Sequence, residues 1–136
     1  MGSRREGREM ALQALYLSDT AGLPIENALK TTLAEVASSQ VREFSAHLAT
    51  GVDGKKNQID AILIRYAQNW DIKRMAVIDR NILRLSTYEI IHDLETPVSV
   101  IIDEAIEIAK TFSTEDSGKF VNGILDKVKS ERKHDA

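Results

Sequence analysis

Apolar residues return at intervals of three and four along almost the whole chain, and no stretch joins a clear period-two alternation to a hairpin turn signal. The first period is that of an α-helix with one buried face, so the sequence predicts a core built from helices alone. Met10, Ala11, Leu12, Leu15 and Tyr16 place a first helix over about residues 4–20, opened by a capping-box spacing from Ser3 to Glu6 and stopped by Gly22 and Pro24. Ile25 to Val36 gives a shorter helix, ended by Ser38 and Ser39. Val41, Phe44, Leu48 and Val52 begin a stripe that resumes through Ile59, Ile62, Leu63 and Tyr66, with Gly51 and Gly54 arguing against one straight rod. Asp71 caps a turn, a helix follows to about His92, Thr96 and Pro97 start the next, and Ser113 or Thr114 caps the last. About seven helices result. The run Val98 to Ile102 is the one place where a strand competes.

With 136 residues, 43% of them apolar, the chain suits a single domain spanning 1–136 around one core. No apolar run approaches the length needed to cross a bilayer, and the N-terminus lacks the pattern of a secretory signal, so a cytoplasmic location without membrane contact is expected. The absence of cysteine removes disulfides and thiol chemistry.

Catalytic patterns are missing. His47, His92 and His134 are scattered, Asp103-Glu104 and Glu115-Asp116 are adjacent pairs that point apart on a helix, and no phosphate-cradling loop or nucleophile elbow occurs. The expectation is a protein that is not an enzyme and needs no cofactor or metal.

Electrostatics is more informative. The net charge of −3 gives no global attraction to nucleic acid, but the ends are basic and the middle is acidic. Arg4 and Arg8, one helical turn apart, share a face, with Arg5 one position round. Such a cluster serves RNA or simply solvates a helix. From Ser117 to Gly123 the chain sets Lys119, Phe120 and Asn122 near a helix start, where free N–H groups can meet phosphate, an aromatic ring can stack on a base and an amide can pair with a base edge. The other reading puts Phe120 in the core and makes Gly123 a helix-crossing point.

Several blocks together resemble the NusB family of transcription antitermination proteins: Arg8-Glu9 with Ala11 to Tyr16, Trp70, Asp79 to Leu85 with Tyr88-Glu89, Thr96-Pro97-Val98, Asp103 to Lys110, and Lys119 to Asp126. They run in order over nearly the full chain. The resemblance implies an all-α compact bundle of two packed helical subdomains. It further implies that the protein binds a boxA-type single-stranded element in nascent RNA together with ribosomal protein S10 (NusE), within a complex on RNA polymerase that supports rRNA transcription. By the same resemblance, Arg4, Arg5 and Arg8 on the first helix and Asp116, Lys119, Phe120 and Asn122 on the last form the RNA side. Tyr16, Asp79 and Arg84 fall on the partner side.

Two departures bear on the carry-over. Glu6 and Gly7 stand where the family often has another basic residue or an alanine, which thins the cationic edge, and Asp103 replaces a usual asparagine. A small basic patch makes few phosphate contacts, so a second protein has contacts to add, and the acidic residues Asp60, Asp71, Asp79, Glu89, Asp93 and Glu95 could orient it. The alternative function is a helical protein-interaction adaptor that does not touch RNA.

Overall fold

The computed structural model describes residues 2–132, and every regular element in that span is helical. Seven α-helices follow in order: α1 (Gly2–Ala21), α2 (Ile25–Thr32), α3 (Ser39–Gly54), α4 (Lys56–Tyr66), α5 (Val77–His92), α6 (Val98–Phe112) and α7 (Glu115–Val128). Short 3₁₀ turns cover Ile72–Arg74 and Lys129–Glu131. Val98 to Ile102 is the first turn of α6, not a strand, because Ile101 and Ile102 share one buried helical stripe with Ala105, Ile108 and Ala109.

The expected caps are largely present. Ser38 Oγ accepts from Val41 N, Thr114 Oγ1 from Ser117 N at 3.1 Å, and Asp71 Oδ1 from Lys73 N at 3.0 Å. Gly22, in the left-handed region at φ 69°, lets the chain leave α1. Ser3 is different: it lies inside α1 and donates to Gln40 Oε1 at 3.3 Å, so no capping box forms with Glu6. The stripe from Val41 to Tyr66 is two helices, broken at Lys55.

Helices α1, α2 and α3 pack on one another, as do α4 to α7, and α5 belongs to the second group while also lying against α1 and α3. That central position buries polar side chains as well as apolar ones, among them Asn81, Arg84, Ser86, Thr87 and Glu89. Two glycines make the close crossings possible. A Cβ on Gly7 would strike the Phe44 ring where α1 meets α3, and one on Gly51 would overlap the ring and hydroxyl of Tyr88 where α3 meets α5. Gly7, out of place by helix propensity, is therefore a packing residue, and its carbonyl also accepts a 2.8 Å hydrogen bond from Ser45 Oγ. Gly123 is the reverse: its Cβ position faces open space, so no helix crosses there.

Candidate nucleic-acid interface

The three N-terminal arginines occupy three different environments. Arg4 is exposed, its guanidinium carbon 4.0 Å from the Phe44 ring centroid and one nitrogen 3.3 Å from Asp93. Arg5 makes a bidentate pair with Glu104 of α6 at 2.6 and 2.7 Å, and that pairing holds the Glu104 carboxyl below the usual range against the effect of burial. Arg8 is 4% exposed and forks onto the buried Glu89 of α5 at 2.8 and 2.9 Å. Burial works against its charge, but Glu89, with the charges of Glu104 and Asp93, outweighs that penalty and raises its pKa. Arg4 and Arg8 do share a face, as their spacing predicts, but that face turns inward by the second turn. The outward cationic surface of α1 is Arg4 with the exposed third of Arg5.

At the other end of the site, Thr114 caps α7, placing Asp116 and Lys119 on the surface, Asn122 exposed one turn on, and Phe120 half-buried. Phe120 sits at the margin of the core and meets Trp70 edge to face, centroids 5.0 Å apart and planes at 78°. The two rings line a cleft of about 340 Å³, bordered also by Arg74, Met75, Asp79 and Asp116. Helix α6 joins the two regions. Arg5 holds Glu104, while Gly118 packs against Ile106 and Lys110, two and six residues or about 3 and 9 Å further along the axis.

The residues expected on the partner side separate. Tyr16 is 40% exposed and lines a groove of about 420 Å³ with Leu17, Ile78 and the exposed Phe112. Asp79 lies under the Trp70–Phe120 cleft. One of its oxygens accepts from Ser117 Oγ at 3.3 Å, the other finds no hydrogen-bond partner, and burial pushes its carboxyl up despite Ser117. Arg84 is turned inside: it forks onto Asp60 at 2.8 and 2.9 Å and reaches Asp19 at 3.1 Å. A side chain so engaged is not presented to a partner.

The acidic middle is likewise mostly internal, since Glu89 holds Arg8, Asp60 holds Arg84 and Asp93 holds Arg4, leaving Asp71 and Glu95 exposed. His47 and His92 flank Tyr88 at the surface, and burial together with Lys55 lowers the His92 pKa. His134 lies outside the described residues, as do Lys133 and the rest of the tail. Arg132 is anchored, donating to the carbonyls of Glu89, Ile90, Asp93 and Thr96. Sequence reasoning missed Trp70 and Arg74 as site residues. A lone tryptophan was the available signal for Trp70, but a single sequence does not distinguish an exposed indole from a buried one.

An all-helical body that gathers around one helix start an exposed indole, a half-buried phenyl ring and, among the described residues, cations without an ion pair defines a binding protein whose surface suits nucleic acid. The family model of NusB matches residues 5–130, and the chain belongs to the NusB family. It is 45% identical to the transcription antitermination protein NusB of Elusimicrobium minutum, with 98% of both chains covered, and 42% identical to that of Symbiobacterium thermophilum, covering 93% of this chain and 88% of the relative. The structure superposes on T. maritima NusB with a TM-score of 0.88 and 39% identity over 95% and 92% of the two chains. It superposes equally well, at 25% identity over 96% and 98%, on a chain from a crystal structure of the antitermination factors NusB and NusE in complex with dsRNA.

Proposed function

We propose that this chain is a transcription antitermination factor that binds a boxA-type single-stranded element of nascent RNA jointly with ribosomal protein S10 (NusE), in a complex on RNA polymerase that supports rRNA transcription. It acts in the cytoplasm by binding and catalyses no reaction. The observation that carries this reading is the surface around the start of α7, where Lys119, Phe120 and Asn122 stand free of internal ion pairs and hydrogen bonds among the described residues. Family membership supports it, as does the relative seen with NusE and RNA.

RNA contact falls to Arg4, Lys119, Phe120 and Asn122, with Asp116 beside them and Arg5 reached over its pair with Glu104. Arg8 supports this surface by fixing α1 on α5. Tyr16, in its apolar groove with Phe112, is the centre of the protein-partner face, while Arg84 and Asp79 lie buried outside that groove. Few free cations give few phosphate contacts, so the chain alone binds weakly and the partner supplies the remainder.

Titration of a boxA-type RNA with the chain, with S10 and with both tests the reading. The expected outcome is tighter binding by the pair than by either protein. The internal pairing of Arg5 and Arg8 favours the rival reading of an adaptor that does not touch RNA, and RNA affinity unaltered by adding the chain to S10 would establish that rival.

A further inference from the structure

Of the three arginines on α1, Arg5 alone is both locked in a fork and open to solvent. Its Nε and Nη2 donate to the two carboxylate oxygens of Glu104 at 2.6 and 2.7 Å, which fixes the plane of the group, and Nη1 makes no hydrogen bond among the described residues. A guanidinium carries five N–H donors in a rigid plane, so the pair occupies the inner edge and leaves two parallel donors, one on Nη1 and one on Nη2, at the outer end. The side chain is 34% exposed, and none of its nitrogens is both sealed from solvent and unpartnered. The surroundings are acidic. The charges of Glu104, Glu9 and Glu107 all act on Arg5, Arg8 is matched by Glu89, and only Lys110, 3.6 Å from Glu107, offsets the three carboxylates. A phosphate approaching the outer end of Arg5 meets that repulsion, whereas a neutral group with two acceptors meets the same donors without it.

We propose that Arg5, oriented by Glu104, reads the edge of one RNA base that sets two hydrogen-bond acceptors side by side, and that it is not a phosphate contact. The inference rests on the RNA-binding function proposed above. Two bases of a single strand have such an edge, guanine through O6 and N7 and cytosine through N3 and O2. No edge of uracil or adenine places two acceptors together, so a donor of either base would meet an N–H of Arg5 head on. Glu104 is the positioning residue. A guanidinium already held in one plane loses less freedom on binding than one at the end of a free stem, and its two outer donors keep the spacing that a bidentate contact needs.

The test uses the full chain with S10 present and three labelled single-stranded RNAs: one of mixed sequence, the same strand with 7-deazaguanosine for guanosine, which removes N7 and keeps the pairing edge, and the same strand with uridine for cytidine. Anisotropy of the label reads binding at several salt concentrations. At least one altered strand is expected to bind the parent chain about 5- to 150-fold more weakly, and which one it is tells guanine from cytosine. Arg5→Ala should bind all three alike and keep the parent's salt slope, and Arg5→Lys, which has the charge without the fork, should not restore the preference. Glu104→Gln frees the guanidinium to swing onto phosphate, so the preference should fall while the salt slope steepens by up to about 0.7. A purely structural pair would shift the melting temperature and neither of these quantities. Circular dichroism melts confirm that each variant is folded. Equal binding of the three strands by the parent chain overturns the base reading without any variant. A preference that survives Arg5→Ala belongs to other contacts and overturns it too, as does an Arg5→Ala protein that weakens on all strands equally with a slope shallower by about 0.7, which makes Arg5 a phosphate contact. In each of these cases the RNA-binding function stands. No anisotropy change for any strand, with or without S10, defeats the RNA-binding function and the base reading together.

Discussion

Removing the Arg8 guanidinium would leave Glu89 charged, 1% exposed and without its ion-pair partner, a far larger penalty than the pair's own net contribution. Arg8→Ala is therefore expected to lose about 3–5 kcal/mol in urea unfolding, while its folded fraction keeps the parent's salt dependence of RNA binding. Arg8→Leu combined with Glu89→Leu should recover much of that stability, and a fully stable Arg8→Ala protein would refute the buried pair. Asp79 works in the opposite direction. Its folded pKa is raised, so its contribution is present below the unfolded pKa and is lost as pH rises through the folded one. At neutral pH it costs stability. Asp79→Asn should be more stable than the parent by about 1 kcal/mol at pH 7, with the difference shrinking as pH falls toward the ordinary carboxylate range. Parallel stability curves across that range would show that the carboxylate is not held up by burial.

At the scale of the helix, three glycines with the same propensity penalty have different reasons to be there. Gly51→Ala pushes a methyl into Tyr88, whose ring is held between α3 and α5, and should cost about 1–3 kcal/mol as overpacking. Gly123→Ala meets nothing, gains helix propensity and should stabilise by up to about 1 kcal/mol. Thermal melts of the two variants should shift in opposite directions, and shifts of the same sign would contradict the crossing geometry. The helices themselves were legible because apolar spacing and caps are local: Thr114, Asp71 and Ser38 act within a few residues of their own positions. What Gly7 and Gly51 do was not, since Phe44 and Tyr88 are 37 residues away in sequence and only the fold brings them near. The same holds for the site. The exposed residues Arg4, Lys119 and Asn122 were readable as cations and an amide on helix faces, but the inward turn of Arg8 and Arg84 depends on Glu89, Asp60 and Asp19, acids from other helices that a single sequence does not pair with them.

Across the molecule, those hidden pairs are what tie the two groups of helices together. Arg8 to Glu89, Arg5 to Glu104, and Asp19 to Arg80 and Arg84 all run from α1 to α5 or α6, alongside the apolar contacts that α5 shares with α1 and α3. A helix group that parted from its neighbour would strand Glu89 and Arg8 in separate, half-formed cores, so the seven helices are expected to unfold as one unit. Trp70 lies in the segment between α4 and α5, on the second group, so its fluorescence follows that group, while far-ultraviolet circular dichroism averages over all seven helices. The two melting curves should coincide at pH 7. Acid should loosen the joint in a defined sense. Asp19 sits below its usual pKa because hydrogen bonds from Asn81 and Arg80, with the charges of Arg80 and Arg84, outweigh its burial, and Glu104 sits low because of Arg5. A depressed carboxyl contributes stability that is complete above its unfolded pKa and lost as pH falls through its folded one, so the shared melting temperature should drop on acidification below the ordinary carboxylate range. Asp19→Asn, which cannot lose that charge, should start lower at pH 7 and fall less steeply. Two separated melting curves at pH 7 would show that the helix groups unfold independently and that these pairs do not bind them into one cooperative unit.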